Sequence, residues 1–139
     1  IEINTNAGGL ATVFTFSVTN EDETGPLRIA ERKHITNRFI NAVVNEYSTA
    51  FGYISENFPD TTLPSSLKTV AIVDDNVTTQ GLYPEMLEFA KIIEEAGLGM
   101  RAVVISPSDL QFNEDDQALY HGETRIDFLY NRLTGDFRL

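Results

Sequence analysis

A strand–helix–strand pattern in the second half of the chain constrains its fold more than any other feature. The first strand lies in "KTVAIVDD", an apolar run that ends in two adjacent carboxylates, Asp74 and Asp75. The helix lies in "YPEMLEFAKIIEEAG", with Pro84 in its first turn and Gly97 at its C-terminal cap. "RAVVIS" follows as a second strand at the short spacing of a right-handed parallel crossover. The pattern predicts an α/β fold with a small parallel sheet.

The rest of the chain is expected to supply a strand segment and a long helix. Residues 1–27 contain "IEIN" and "ATVFTFSV", whose β-branched and aromatic side chains favour strands. Residues 28–58 are predicted to form the helix, because apolar residues recur there at three- and four-residue steps. These residues are Ile35, Phe39, Ile40, Val43, Val44, Tyr47, Ala50, Phe51 and Ile54. Residues 59–67 form a linker by composition, and residues 68–139 form the α/β domain.

Three further strands are predicted near the end of that domain. Two short strands flank a turn at His121 and Gly122, and a buried strand runs from Ile126 to Tyr130. Polar residues directly follow this strand, which places them at the same end of the sheet as the acidic pair.

Length and charge narrow the range of functions. The 139 residues suffice for one compact domain, and the absence of cysteine excludes disulfides and thiolate metal sites. A formal net charge of -11 repels phosphate backbones, so nucleic acid is not an expected partner.

No apolar run approaches the roughly 20 residues that cross a bilayer, and no signal-peptide pattern is visible. We expect a cytoplasmic protein without a membrane partner. Because no initiator methionine opens the chain, we also expect a fragment of a longer protein.

Candidate ligand-binding residues follow the predicted strands. Ligands of open α/β sheets bind outside the carboxyl ends of the strands, where Asn131, Arg132, Asp74 and Asp75 are expected. The planar fork of Arg132 suits a carboxylate or a phosphate, and a surface ion pair with Asp136 is the alternative. The two adjacent acids are alternatively turn residues at the start of the helix.

Residues between the first strand and the helix are further candidates. The ring of Tyr83 is expected to pack at the helix entry, with its hydroxyl within reach of a ligand. Asn76, Thr78 and Thr79 are predicted to cap the helix, since their side chains accept hydrogen bonds from free backbone N–H groups.

An acidic pair at a strand end resembles the magnesium-holding pair of phosphorelay receiver domains. Such domains need an aspartate phosphoacceptor after the third strand, where this chain has Asn131. An amide cannot form an acyl phosphate, so a degenerate receiver-like domain stays a remote alternative.

Two parts of the chain resemble ATP-grasp ligases. "EINTNAGG" is similar to the Glu-x-Asn strand by which these enzymes hold magnesium, and Glu2 and Asn4 would point to one face of a strand. "VAIVDDN", "LYPEMLEFAKIIEEAG", "AVVISPSDL" and "IDFLYNRLTGDF" resemble the pre-ATP-grasp domain of uncharacterised bacterial proteins related to glutathione synthetase and glutathionylspermidine synthetase. In these ligases the Glu-x-Asn strand follows the ATP-binding lobes, whereas here it comes first. A strand edge with a polar turn is therefore the alternative to a metal site.

The resemblance implies a Rossmann-like layer that serves as the substrate-side domain of an ATP-dependent carboxylate–amine ligase-like protein, inactive alone. It also implies Mg²⁺ and ATP in the full-length parent, with Glu2 and Asn4 as metal ligands. The remainder of the parent chain and a small carboxylate or amine substrate are the expected partners. A non-catalytic binding module, or a homo-oligomer formed through the long helix, is the alternative.

Overall fold

Parallel strands and two helices form the frame of the protein, which a computed structural model describes over residues 2–4, 26–61 and 63–133. In chain order the elements are β1 (Glu2–Asn4), α1 (Pro26–Asn57), β2 (Thr69–Val73), α2 (Tyr83–Glu95), β3 (Arg101–Ile105), β4 (Gln111–Asn113), β5 (Ala118–His121), β6 (Thr124–Ile126) and β7 (Phe128–Asn131). Short 3-10 turns follow β2 and β3. The predicted strand "ATVFTFSV" lies outside the described residues.

The parallel sheet has the strand order β1-β7-β2-β3. Helix α2 connects β2 to β3, and the chain then returns to place β7 on the other side of β2. Every residue of β2 is buried, as expected for a central strand with both faces covered. The predicted α/β class with a small parallel sheet is confirmed. Strand β1 pairs with β7 in this same sheet, in a register that aligns Asn4 with Asn131.

A second, antiparallel sheet has the order β4-β5-β6. The predicted turn between two short strands is confirmed, with Gly122 at a φ of 59° that a residue with a side chain rarely adopts. The buried strand starts later than predicted, at Phe128 rather than Ile126. Ile126 instead ends β6. Asp127 separates the two strands, and its side chain accepts hydrogen bonds from the backbone N–H groups of Lys68 and Thr69 at the start of β2.

The two faces of the parallel sheet carry separate apolar clusters. On one face, residues of α1 and α2 pack against alternate strand residues, among them Val70 and Ile72 of β2 and Phe128 of β7. On the other face, Ala71 and Val73 pack against Ile126 of the antiparallel sheet. The parallel sheet is thus the middle of three layers.

Helix α1 is confirmed, with a length of 32 residues that corresponds to about 48 Å. Its middle is buried through Ile40, Val43 and Tyr47, whereas Ile35 is exposed and Ile54 is half-buried. The predicted apolar stripe is therefore buried over its central turns only. Among the described residues, neither helix combines the length and the apolar character that crossing a membrane requires.

Helix α2 begins and ends where the sequence predicts. Pro84 lies in its first turn, and Gly97 follows its C-cap residue at a φ of 74°. The predicted caps are wrong, because residues 77–79 form a separate 3-10 turn and the N-cap position of α2 is Leu82. Thr79 Oγ1 donates to the Asn76 carbonyl oxygen, so this turn closes on itself before the helix begins.

Tyr47 makes the stability of the fold sensitive to high pH. Its hydroxyl donates to the Pro64 carbonyl oxygen at 2.5 Å. Burial, and secondarily the charge of Asp127, raises the pKa of the phenol above its usual value of 10.0. The folded state favours the neutral phenol over the phenolate. The stability that Tyr47 contributes is therefore fully present below about pH 10, and it is lost as the pH rises through the higher pKa of the folded state.

Tyr47→Phe is therefore expected to cost about 1 kcal/mol near neutral pH, from the lost hydrogen bond. It should also reduce the loss of stability above about pH 10. Urea unfolding at neutral and alkaline pH measures both effects. Tyr53→Phe is the control, because Tyr53 is 62% exposed. An equal alkaline loss in wild type and Tyr47→Phe would contradict the assignment.

Candidate functional site

The carboxyl ends of β2 and β7 bring most of the predicted site residues to one edge. Val73 and Asn131 are aligned in the register of the two strands, and the Arg132 N–H donates to the Val73 carbonyl oxygen at 2.9 Å. Asp74 and Asp75 directly follow β2. The sequence prediction that these residues share one edge agrees with the strand register. Ligands of open parallel sheets bind at such edges.

The side chain of Arg132 is buried behind this edge. Its side chain is only 5% exposed, and the Nη1 atom lies 3.6 Å from Glu85 Oε1. The guanidinium carbon lies 5.9 Å from the ring centroid of Phe89. Nε and Nη1 have no hydrogen-bond partner within the described part of the chain. A buried cation with unsatisfied donors is costly, and an anionic group at these donors would offset that cost.

Glu85 is a site residue that the sequence reasoning missed. It lies in the first turn of α2 and is 4% exposed, and a carboxylate is favourable near the positive end of the helix dipole. A signal was present: Glu85, Phe89 and Ile92 follow a helical spacing that puts them on one face. The two apolar residues mark that face as buried, and the acid lies among them.

The structure places a buried carboxylate beside Arg132, and the ion pair with Asp136 that the sequence suggested stays a prediction. The predicted partner, Asp136, lies outside the described residues. The carboxylate that the structure places beside the guanidinium belongs to Glu85, whose side chain is 1% exposed. Arg132 therefore takes part in a buried ion pair. Removing one partner of such a pair lowers the stability of the fold more than removing one partner of a surface pair does.

Asp74 and Asp75 stabilise their own turn. Asp74 Oδ1 accepts the Asp75 N–H at 2.8 Å, and the Asp74 N–H donates to the Ile105 carbonyl oxygen at 3.3 Å. Gln80 Nε2 donates to the Asp75 carbonyl oxygen at 2.7 Å. Asp75 is exposed, and the described residues show no ion pair between either acid and Arg132. The geometry matches the alternative in which both acids are turn residues.

Asn131 and Tyr83 contribute packing and turn geometry at the same edge. Asn131 is 2% exposed, and its Oδ1 accepts the Leu133 N–H at 2.9 Å. Tyr83 begins α2 and packs, half-buried, against the helix-side core, as predicted for its ring. Asn131 directly precedes Arg132 and helps to fix the chain direction there.

For the predicted magnesium ligands, the structure describes the backbone of β1. Its pairing aligns Glu2 with Leu129 and Asn4 with Asn131, so β1 ends at the same edge as β7. Within the described ranges, no group of three or more His, Cys, Asp or Glu residues is arranged to hold a metal ion. Magnesium binding by Glu2 and Asn4 stays a prediction.

Asp127 is a second residue that the sequence reasoning missed. Its Oδ2 accepts the N–H groups of Lys68 at 3.0 Å and Thr69 at 2.9 Å. Its Oδ1 lies 3.7 Å from Arg125 Nε, and its own N–H donates to the Thr69 carbonyl oxygen. Asp127 therefore fixes the start of β2 against the start of β7, and so determines how their carboxyl ends align.

Comparisons with protein-family models, with curated proteins and with solved structures find no match to this chain.

Proposed function

We propose that this chain is the substrate-side α/β domain of an ATP-dependent carboxylate–amine ligase-like protein, in which Arg132 holds the anionic group of the substrate. One observation carries the proposal: a buried guanidinium, ion-paired to Glu85, lies at the carboxyl edge of a parallel sheet, and its Nε and Nη1 have no hydrogen-bond partner among the described residues. The resemblance of residues 68–139 to pre-ATP-grasp domains supports the same assignment.

The position of Arg132 suits the chemistry of such a ligase. ATP converts a substrate carboxylate to an acyl phosphate, and an amine then displaces the phosphate. The substrate carboxylate must be oriented before it reacts, and a planar guanidinium can hold it through two parallel hydrogen bonds. The Phe89 ring beneath the guanidinium and Glu85 beside it restrict its motion. In this proposal Arg132 binds and orients, while magnesium and ATP are held by the rest of the parent protein together with Glu2 and Asn4.

Anion binding by calorimetry tests the proposal. The probes are glutamate, acetate and inorganic phosphate, titrated into this chain. We expect glutamate to bind, and Arg132→Lys to weaken its binding at least about tenfold, because an ammonium cannot reproduce the guanidinium fork. Arg101→Lys is the matched control, since Arg101 is exposed at the start of β3. Circular dichroism of each variant establishes that the fold is retained.

The ligase part of the proposal is tested with MgATP. Binding is expected for the full-length protein that the same reading frame encodes, and not for the chain alone. If glutamate binds but the full-length protein does not bind MgATP, the result contradicts the ligase proposal. It would still support a domain that binds anions. Glutamate affinity that is unchanged in Arg132→Lys would contradict the role of Arg132.

A second candidate function, a self-associating module, is favoured by exposed aromatic residues near the end of α1. Tyr53 is 62% exposed and Phe58 is 55% exposed, and their rings contact each other with centroids 6.5 Å apart. Large exposed apolar side chains that lie together are typical of interaction sites. Sedimentation at increasing concentration distinguishes the candidates, because self-association without anion binding would favour the module.

A further inference from the structure

A cavity of about 510 Å³ lies between the antiparallel sheet and the start of β7. This is the opposite end of β7 from Arg132, which follows the strand's last residue. The volume is within the range of about 300–1,000 Å³ that is typical of small-molecule sites. The cavity therefore offers a second place at which this fold could bind a ligand.

The wall of the cavity is largely apolar. Its apolar lining includes Leu63, Phe112, Leu119, Ile126 and Phe128. Phe112 is 57% exposed, although an aromatic side chain of this size is more stable when it is covered. A hydrocarbon body in the cavity would remove this ring from water.

Two charged residues also line the cavity, Arg125 and Asp127. The Asp127 carboxylate is 3% exposed and already accepts two backbone N–H groups, so its charge is directed into the fold. The Arg125 side chain is 26% exposed and brings a guanidinium to the cavity. A guanidinium carries five N–H donors and can serve more than one acceptor at once. Arg125 Nε also lies 3.7 Å from Asp127 Oδ1, so the two residues form an ion pair, and the guanidinium is the member of that pair that a ligand would meet.

We propose that this cavity binds a small amphipathic monocarboxylate, with its carboxylate on Arg125 and its hydrocarbon body against Phe112 and the apolar wall. The charge and the apolar lining select this class together: a simple anion would leave the wall uncovered, and an amine would meet the guanidinium. The inference is independent of the ligase proposed above, because it uses none of the residues at the Arg132 edge.

Octanoate and octylamine are matched probes, with equal chain length and opposite charge. Calorimetry on the unaltered chain is expected to show octanoate binding at least about tenfold more tightly than octylamine. Arg125→Gln should reduce this preference to less than about threefold, because it removes the positive charge. Excess glutamate, the probe of the Arg132 edge, should not displace octanoate.

A pair of aromatic substitutions separates the cavity from general surface binding. Phe112→Ala should weaken octanoate binding several-fold, whereas Phe58→Ala should leave it unchanged. The two rings have similar exposure, 57% and 55%, but Phe58 does not line the cavity. If the unaltered chain binds octanoate and octylamine equally tightly, that result alone would overturn the inference. Displacement by glutamate, or equal effects of the two substitutions, would also overturn it.

Discussion

Arg132→Met is expected to lower the free energy of unfolding by about 3–5 kcal/mol. The substitution removes the guanidinium that lies 3.6 Å from Glu85 Oε1 and over the Phe89 ring, and leaves a carboxylate that is 1% exposed beside an apolar side chain. A domain of this size has a total stability of about 5–15 kcal/mol, so the loss is a large part of the whole. Urea unfolding followed by circular dichroism measures it.

A double substitution shows whether the cost comes from the broken pair. Glu85→Leu combined with Arg132→Met replaces both charges by apolar groups, and is expected to be more stable than Arg132→Met alone. Arg101→Met, at an exposed position, should change stability by less than about 0.5 kcal/mol. If the double variant is as unstable as the sum of its single variants, Arg132 contributes through packing and not through Glu85.

The same double variant connects stability to the proposed function. It keeps an apolar core beneath the sheet edge but carries no guanidinium there. We therefore expect it to fold and yet to have lost glutamate binding. Retention of glutamate affinity in this folded variant would place the anion site elsewhere.

The elements around the acidic pair could be predicted because their signals are local. Pro84 and Gly97 mark the ends of α2 through backbone preferences that act within a few residues. The apolar run from Val70 to Val73 identifies a strand that is buried on both faces. None of these signals requires knowledge of the rest of the fold.

The strand order could not be predicted, because it depends on contacts between distant parts of the chain. Strand β7 pairs with both β1 and β2, and the sequence of Phe128–Asn131 does not by itself indicate which strands it pairs with. Its first residue was also misplaced, since Ile126 is apolar enough to extend the strand pattern. The true boundary is set by Asp127, whose partners are Lys68 and Thr69, 59 and 58 residues away.

The candidate site shows the same division between local and distant information. The carboxyl ends of parallel strands share an edge, so the sequence could place Arg132 near the acidic turn. It could not identify the buried neighbour of Arg132, and the partner it suggested, Asp136, lies outside the described residues. Glu85 became the buried neighbour because α2 packs its first turn against the end of β7, a contact between elements that no short motif encodes.

Asp127→Ala is the second substitution with a large expected effect, about 3 kcal/mol of lost stability. Hydrogen bonds to a charged group contribute about 1.5–3 kcal/mol each, and Asp127 accepts two from the backbone at the start of β2. The loss leaves the Thr69 N–H, on a residue that is 7% exposed, without its acceptor. Urea unfolding measures the effect, and amide exchange at Thr69 reports whether the start of β2 opens.

Asp127→Asn separates the geometry of this contact from its charge. The amide oxygen can still accept the two N–H groups, so this variant should recover roughly half of the lost stability. The negative charge of Asp127 helps to raise the pKa of Tyr47. Asp127→Asn lacks this charge, so it should not restore the raised pKa that Tyr47 has in the wild type. Spectroscopic titration of Tyr47, with Tyr47→Phe as the blank, should therefore give a lower pKa in both Asp127 variants. If Asp127→Asn is as unstable as Asp127→Ala, the carboxylate charge itself, and not its acceptor geometry, joins β2 to β7.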